Sequence, residues 1–215
     1  MKKIMNKLVK TAVLCVFVFS CADLNKQPNG VETDNTFFEN EDQAKRAITS
    51  VYDVTAWYNT QEMDEWVFGD ICSDDAEKGG EGPADAPAME KMKRFNCDPN
   101  VPYTKDMWNE TYEGIFRANQ CIDNIPTINM DATLRAQYVG EAKFLRALYY
   151  FRLQRTFNGV PLVLHPLTRD QYCQKRASPA EVWAQMEQDL KDAAGVLPEK
   201  KAYSSSDLGR VSGYG

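Results

Sequence analysis

Apolar residues recur at α-helical spacing in four stretches of the chain, and capping residues mark where these stretches begin. In the first stretch, residues 40–58, Asn40 and Gln43 match the pattern of a capping box, in which each residue binds a free backbone group of the other. The pattern predicts a helix whose apolar side faces a core. The residues at helical spacing are Ala44, Ala47, Ile48, Val51, Tyr52 and Thr55.

The second and third stretches predict two longer helices. The second runs through residues 104–126, and Pro126 ends it. The third begins with Asp131 as its cap and ends at Asn158-Gly159, a pair that favours a helix C-terminus. The positions predicted to face the core are Trp108, Tyr112, Ile115, Phe116, Asn119 and Ile122 in the second helix, and Leu134, Tyr138, Ala142, Leu145, Tyr149 and Leu153 in the third.

A fourth helix begins where Ser178 caps, Pro179 takes the first helical position and Glu181 completes a capping box. Its core-facing residues are Val182, Met186, Leu190 and Ala193. The sequence reaches only residue 215, so we expect this apolar stripe to be left uncovered and a longer parent chain to be more stable.

These elements predict an all-α fold of antiparallel helix pairs with long irregular loops. The short connection between the second and third helices makes them neighbours. The segment 160–164 is expected to be extended, because Pro161 disfavours helix for the residue before it. No strict repeat of about 34 residues is present, so the period alone does not establish a regular tetratricopeptide array.

The N-terminus has the charge order of a secretory signal peptide. Four lysines precede an apolar run, and no acid occurs before Asp23. Only ten residues separate Lys10 from Cys21, whereas a transmembrane helix needs roughly 20 apolar residues. The Ser20-Cys21 junction is close to the bacterial lipoprotein pattern, in which the cysteine is lipidated and becomes the new N-terminus. Cleavage of an ordinary signal peptide is the alternative.

Removal of residues 1–20 takes away four lysines and no acid, so the formal net charge moves from −6 to −10. An acidic surface repels nucleic acid and anionic headgroups, so neither is expected as a partner. The cysteines form no CxxC pair and the chain has one histidine, which argues against a structural zinc site. Cys121 is expected to be a buried apolar residue. Cys72 and Cys97 could pair after export, or remain reduced.

Several segments together are similar to the SusD/RagB family of Bacteroidetes outer-membrane lipoproteins. They are the lipoprotein-like start, "GDICSDDAEKGG", "MWNETYEGIFRANQCIDNIP", "GEAKFLRALYYFRLQRTFNGVPLVLHPL", "ASPAEVWAQMEQDLKDAAGVLP" and "GRVSGYG". The resemblance implies tetratricopeptide-like helix pairs. It implies a protein that binds a glycan or peptide and presents it to a TonB-dependent SusC-like transporter, without cleaving it and without a cofactor. It also implies that the family continues for some hundreds of residues after this region.

The resulting boundaries are a lipoprotein signal peptide over residues 1–20, a tether over 21–39 and a SusD-like helical region over 40–215. Cys21 is the predicted lipidation site and the attachment to the membrane. Asn119 and Arg146 interrupt apolar stretches, and we interpret them as interhelical hydrogen-bonding groups rather than ligand contacts.

Residues 62–90 form an acidic region with ten carboxylates and one lysine, Lys78. Oxygen ligands of this kind can hold calcium. The spacing does not fit an EF-hand, so a solvated loop is the preferred interpretation and no metal is assigned. Sugar recognition combines aromatic platforms with hydrogen-bonding groups. The ligand-binding candidates are Trp57, Tyr58, Trp66, Asp74, Asp75 and Glu77. For Trp66 and Phe68, core packing is the preferred interpretation.

Two classes of enzymatic function have less support in the sequence. Paired carboxylates could indicate a glycoside hydrolase, but no acid stands out from the rest. The only histidine, His165, lies in an irregular segment, which makes a Ser-His-Asp triad improbable. A lipid-anchored helical adaptor that binds only proteins remains the main alternative, and retention on polysaccharide gels would distinguish the two.

Overall fold

The computed structural model describes residues 37–82, 84–96, 101–207 and 209–213, with the side chains of 61–64 excepted. The chain divides after Phe37, so nearly all of the described residues belong to the second unit, Phe38–Gly215. The predicted signal peptide, most of the tether, Cys21 and Cys97 therefore lie outside the described residues. Pairing of Cys72 with Cys97 stays a prediction.

The described part of the chain contains six α-helices and one π-helix. The α-helices are α1 (Glu41–Thr55), α2 (Tyr58–Glu62), α3 (Pro87–Lys93), α4 (Pro102–Asn124), α5 (Ala132–Phe157) and α6 (Pro179–Ala194), and the π-helix spans Met63–Ile71 between α2 and α3. Short 3-10 turns occur at Ile125–Thr127, Arg169–Gln171, Lys200–Ala202 and Ser205–Asp207. The all-α prediction is confirmed.

The predicted caps are present at three helix starts. Asn40 Oδ1 accepts from the backbone N–H of Gln43. In return, Gln43 Oε1 accepts from the backbone N–H of Asn40. Asp131 caps α5 by accepting from the N–H of Leu134 at 2.8 Å. Ser178 and Glu181 complete the box of α6. These bonds satisfy N–H groups that the first helical turn leaves without partners.

Helices α4, α5 and α6 form a stack in which α5 is central, and α1 packs against α4 and α5. The Tyr149 hydroxyl on α5 donates to the carbonyl of Val51 on α1 at 2.6 Å. Tyr149 is fully buried and lies against Gly114 of α4, where a Cβ would approach its ring to 2.6 Å. A glycine therefore sets the close approach of α4 to α5.

A buried polar network joins α4, α5 and α6. The Arg146 guanidinium donates to both carboxylate oxygens of Asp189, at 2.7 and 2.8 Å, and to Asn119 Oδ1 at 2.8 Å. It also donates to the carbonyl of Leu164 at 3.1 Å. The structural interpretation of Asn119 and Arg146 is therefore confirmed, and the network ties the stack to the extended segment after α5.

A second network attaches the end of the chain to the helices. Glu141 is fully buried and accepts two bonds from the Arg210 guanidinium, at 2.8 and 3.0 Å, and one from the Tyr52 hydroxyl at 2.9 Å. The Tyr52 oxygen accepts from the N–H of Val211 at 3.0 Å. Burial raises the pKa of Tyr52, and the Glu141 carboxylate raises it further, so the phenol stays a donor.

Two predicted core positions differ in the structure. Phe116 and Leu190 are 43% exposed, so neither faces the core as predicted. The prediction that the apolar stripe of α6 is left uncovered is wrong, because α5 buries Val182, Met186 and Ala193. The exposed apolar residues of α6 are instead Trp183 and Leu190, which border a groove shared with Phe151 of α5. No helix within the described ranges is long and apolar enough to cross a lipid bilayer.

Candidate functional site

The candidate site begins at the π-helix, which carries Trp66. The helix buries Val67 and Ile71 in a small core, while Trp66 remains 41% exposed. The partners of this core are Met89, Met92 and Val101, with Phe68, Cys72 and Tyr103 packed at its margin. Core packing, the preferred interpretation for Trp66 and Phe68, is therefore right for Phe68 and wrong for Trp66.

The acidic loop after the π-helix is held by two lysines. Lys93, in the last turn of α3, donates through Nζ to the carbonyls of Ser73 at 3.1 Å and Ala76 at 2.7 Å. The same ammonium lies 3.4 Å from the Glu77 carboxylate. Lys78 donates to the carbonyls of Gly79 and Gly82. Asp74 and Asp75 are exposed beside these anchors, so their carboxylates are available to a ligand.

Trp57 lies at the junction of α1 and α2 and is held on two sides. Its indole N–H donates to Asp53 at 2.9 Å, and the Arg117 guanidinium lies 4.9 Å from the ring centroid. Arg117 is itself fixed by Glu113 and by the carbonyl of Ser50. Cation–π contact and the hydrogen bond leave Trp57 half-buried with a fixed orientation.

Tyr58 is 50% exposed at the start of α2 and faces the first turn of α4. Partial burial raises the pKa of the Tyr103 hydroxyl, and the neighbouring Tyr58 adds to this rise. Helix α2 is fixed to α4 because Asn59 and Thr60 donate to the Glu110 carboxylate at 2.7 and 3.2 Å. Tyr58 therefore stands on an anchored segment beside a second tyrosine.

The structure arranges the six predicted ligand-binding candidates as two groups. Trp57, Tyr58 and Trp66 are carried by the continuous run from the end of α1 through the π-helix, and the three acids occupy the following loop. Within the described ranges, no hydrogen bond, ion pair or ring contact joins the aromatic group to the acidic group. Nor do the described side chains include a group of three or more that could hold a metal ion.

Sequence reasoning missed Lys93, Tyr103 and Arg117 as supporting residues. Lys93 lies just beyond the acidic region, and its carbonyl partners are 17 and 20 residues away. Arg117 reaches Ser50 across 67 residues. No local signal identifies such partners, because their proximity depends on how α3 and α4 pack.

The sequence model of a family described as "Starch-binding associating with outer membrane" matches residues 31–208. The chain belongs to the SusD-like family. A relative from Formosa agariphila, SusD-like protein P38, is 30% identical over 198 residues, which cover 90% of this chain and 38% of the relative. The SusD-like chain thus spans about two fifths of the length of that relative.

Solved structures agree with the SusD-like fold. A laminarin binding SusD-like protein superposes with a TM-score of 0.74 at 33% identity, over 81% of this chain and 38% of that one. Surface glycan-binding protein A from Bacteroides thetaiotaomicron, solved with laminarihexaose, superposes with a TM-score of 0.66 at 22% identity. That match covers 80% of this chain and 36% of the other, and it supports the fold alone.

Proposed function

We propose that this SusD-like chain belongs to an outer-membrane lipoprotein that binds a nutrient glycan and delivers it to a TonB-dependent SusC-like transporter. The observation that carries the proposal is the exposed Trp66, held on a π-helix beside an anchored acidic loop, in a chain of this family. π-Helical segments occur frequently at functional sites. The laminarin-binding relative supports glycan as the ligand class.

In this proposal the aromatic side chains supply the apolar contact and the acids supply hydrogen-bond acceptors. Trp66 and Tyr58 present ring surface to solvent, which matches the apolar face of a sugar ring. Asp74, Asp75 and Glu77 would accept from sugar hydroxyl groups. Lys93 would act as a positioning residue, because its contacts with the carbonyls of Ser73 and Ala76 fix the loop that carries the acids.

A glycan array probed with the full chain tests the ligand class. We expect binding to one or more neutral polysaccharides or oligosaccharides, and retardation on the matching affinity gel. A chain that binds no glycan or peptide, yet co-purifies with a transporter from outer membranes, would contradict this function and favour the adaptor.

The lipid anchor is tested separately, since Cys21 lies outside the described residues. We expect wild-type cells to incorporate labelled palmitate into the protein and Cys21→Ala to abolish both labelling and membrane association. A Cys21→Ala protein that still fractionates with outer membranes and takes up palmitate would refute this attachment.

A further inference from the structure

A cleft lies between α4 and the segment that follows α5. Its volume is about 200 Å³. One wall consists of Tyr112, Ile115 and Phe116 of α4, and the other of Val163, Leu167 and Tyr172. Pockets for drug-sized ligands measure roughly 300–1,000 Å³, so a cleft of this size suits a single small ring.

Two exposed aromatic side chains flank the opening. Phe116 is 43% exposed and Tyr172 is 67% exposed, although Phe116 occupies a position where the helical pattern predicts burial. Large apolar side chains that remain exposed beside a cavity provide a platform for a ring with an apolar face.

The cleft is pre-formed, because hydrogen bonds fix both walls. The Tyr112 hydroxyl donates to the carbonyl of Pro161 at 2.7 Å. Asn119, fully buried at the floor, donates to the carbonyl of Val163 at 3.0 Å. The Tyr150 hydroxyl accepts from the N–H of Val163 at 2.7 Å and donates to its carbonyl at 2.8 Å. Such rigidity lowers the entropy lost on binding.

His165 supplies the polar group at the rim. Its Nδ1 lies 3.0 and 3.1 Å from the two Asp123 carboxylate oxygens, which orients the imidazole, and the side chain is 76% exposed. His165 is the only titratable side chain besides the tyrosines among the lining residues, and none of the others carries a formal charge. The lining therefore suits a neutral ligand.

We propose that this cleft is a second binding site, which takes one pyranose ring of a neutral glycan. A pyranose has an apolar C–H face for Phe116 and Tyr172 and hydroxyl groups at its edge for His165. The choice of glycan as the ligand rests on the proposed function, whereas the cleft, its aromatic flanks and its rim do not. Two sites on one chain would raise the avidity for a polymer with many identical units.

The test is a titration of the full ¹⁵N-labelled chain with laminarihexaose and with the neutral oligosaccharide that binds best on the array. In the Trp66→Ala background, we expect chemical-shift changes at Asn119, Val163 and Leu167. Adding Tyr172→Ala or Phe116→Ala should weaken this residual binding about three- to tenfold. Trp183→Ala is the matched control for Phe116→Ala, because the two side chains are 44% and 43% exposed.

The outcomes separate this inference from the proposed function. Binding that depends on Trp66 and leaves the resonances of the cleft unmoved would overturn the second site and preserve the proposed function. Shifts in the cleft with no effect of Trp66→Ala would support the second site and contradict the placement of the first. Tyr172→Ala and Phe116→Ala proteins that bind as the Trp183→Ala control does would also overturn the second site.

Discussion

At the scale of single residues, the Arg146 network links the stacked helices through charge rather than apolar contact. The side chains of Arg146 and Asp189 are 5% and 2% exposed and pair through two hydrogen bonds. A buried charge without its partner is far more costly than a well-packed apolar substitute. Any packing of α6 that separates Asp189 from Arg146 is therefore less stable than the observed one.

We expect Asp189→Ala to lower the free energy of unfolding by about 3–5 kcal/mol, because it leaves the Arg146 charge buried without its partner carboxylate. Urea denaturation followed by circular dichroism measures this change. Asp192→Ala is the matched control, since Lys143 and Asp192 also link α5 to α6 but are 24% and 35% exposed. That variant should lose at most about 1 kcal/mol. Equal losses of unfolding free energy in Asp189→Ala and Asp192→Ala would contradict the claim that burial makes the Arg146–Asp189 pair more important.

A second prediction at this scale concerns Cys121. Burial raises the pKa of its thiol to about 12, whereas Cys173 is exposed. The thiolate is the reactive form, so iodoacetamide at pH 8 should modify Cys173 and leave Cys121 unmodified until the protein is denatured. Peptide mass mapping distinguishes the two sites. Equally fast modification of both in the native protein would contradict the buried position.

The raised pKa of Cys121 also makes the stability of the protein depend on pH. The folded-state pKa lies above the ordinary thiol value, so folding favours the protonated form. This contribution is complete below about pH 8.5, the ordinary pKa of a cysteine, and declines as the pH rises toward 12. Buried Tyr149 and Tyr150, whose pKa values are also raised by burial, act in the same direction.

At the scale of elements, the contact between α4 and α5 depends on Gly114. An alanine Cβ there would come within 2.6 Å of the Tyr149 ring, whose hydroxyl is bonded to α1. We expect Gly114→Ala to cost about 1–3 kcal/mol, because the ring must move within a packed core. Thermal and urea unfolding measure this loss.

Gly195→Ala is the control for that prediction. Gly195 ends α6 with φ −72°, and a Cβ would approach nothing nearer than 3.6 Å. Its effect should stay within about 0.5 kcal/mol. A Gly114→Ala protein as stable as Gly195→Ala would mean that the two helices are not as close as described.

The four long helices could be predicted because their signals are local. Caps at Asn40, Asp131 and Ser178 and the 3.6-residue period need no knowledge of distant residues. The segments α2, α3 and the π-helix could not, since each of the two α-helices has at most seven residues and a π-helix breaks that period. Trp66 was selected as a candidate from its residue type, but its outward direction depends on this unpredicted π-helix.

At the scale of the whole molecule, the order of sequence blocks predicted the family, and the helical stack follows from it. The cleft beside α4 was not predicted, because its second wall comes from residues 160–172, whose position depends on hydrogen bonds to Tyr112, Asn119 and Tyr150. The chain spans 38% of a relative and of a solved structure that it resembles.

The most direct test of the account is the affinity of the full chain for its best glycan by isothermal titration calorimetry, compared between Trp66→Ala and Trp183→Ala. The two tryptophans are 41% and 44% exposed, so the pair controls for the loss of a large surface aromatic. We expect Trp66→Ala to weaken binding about threefold to tenfold and Trp183→Ala to change it by less than about twofold. Unchanged affinity in Trp66→Ala, or an equal loss in both variants, would contradict a glycan site at the π-helix.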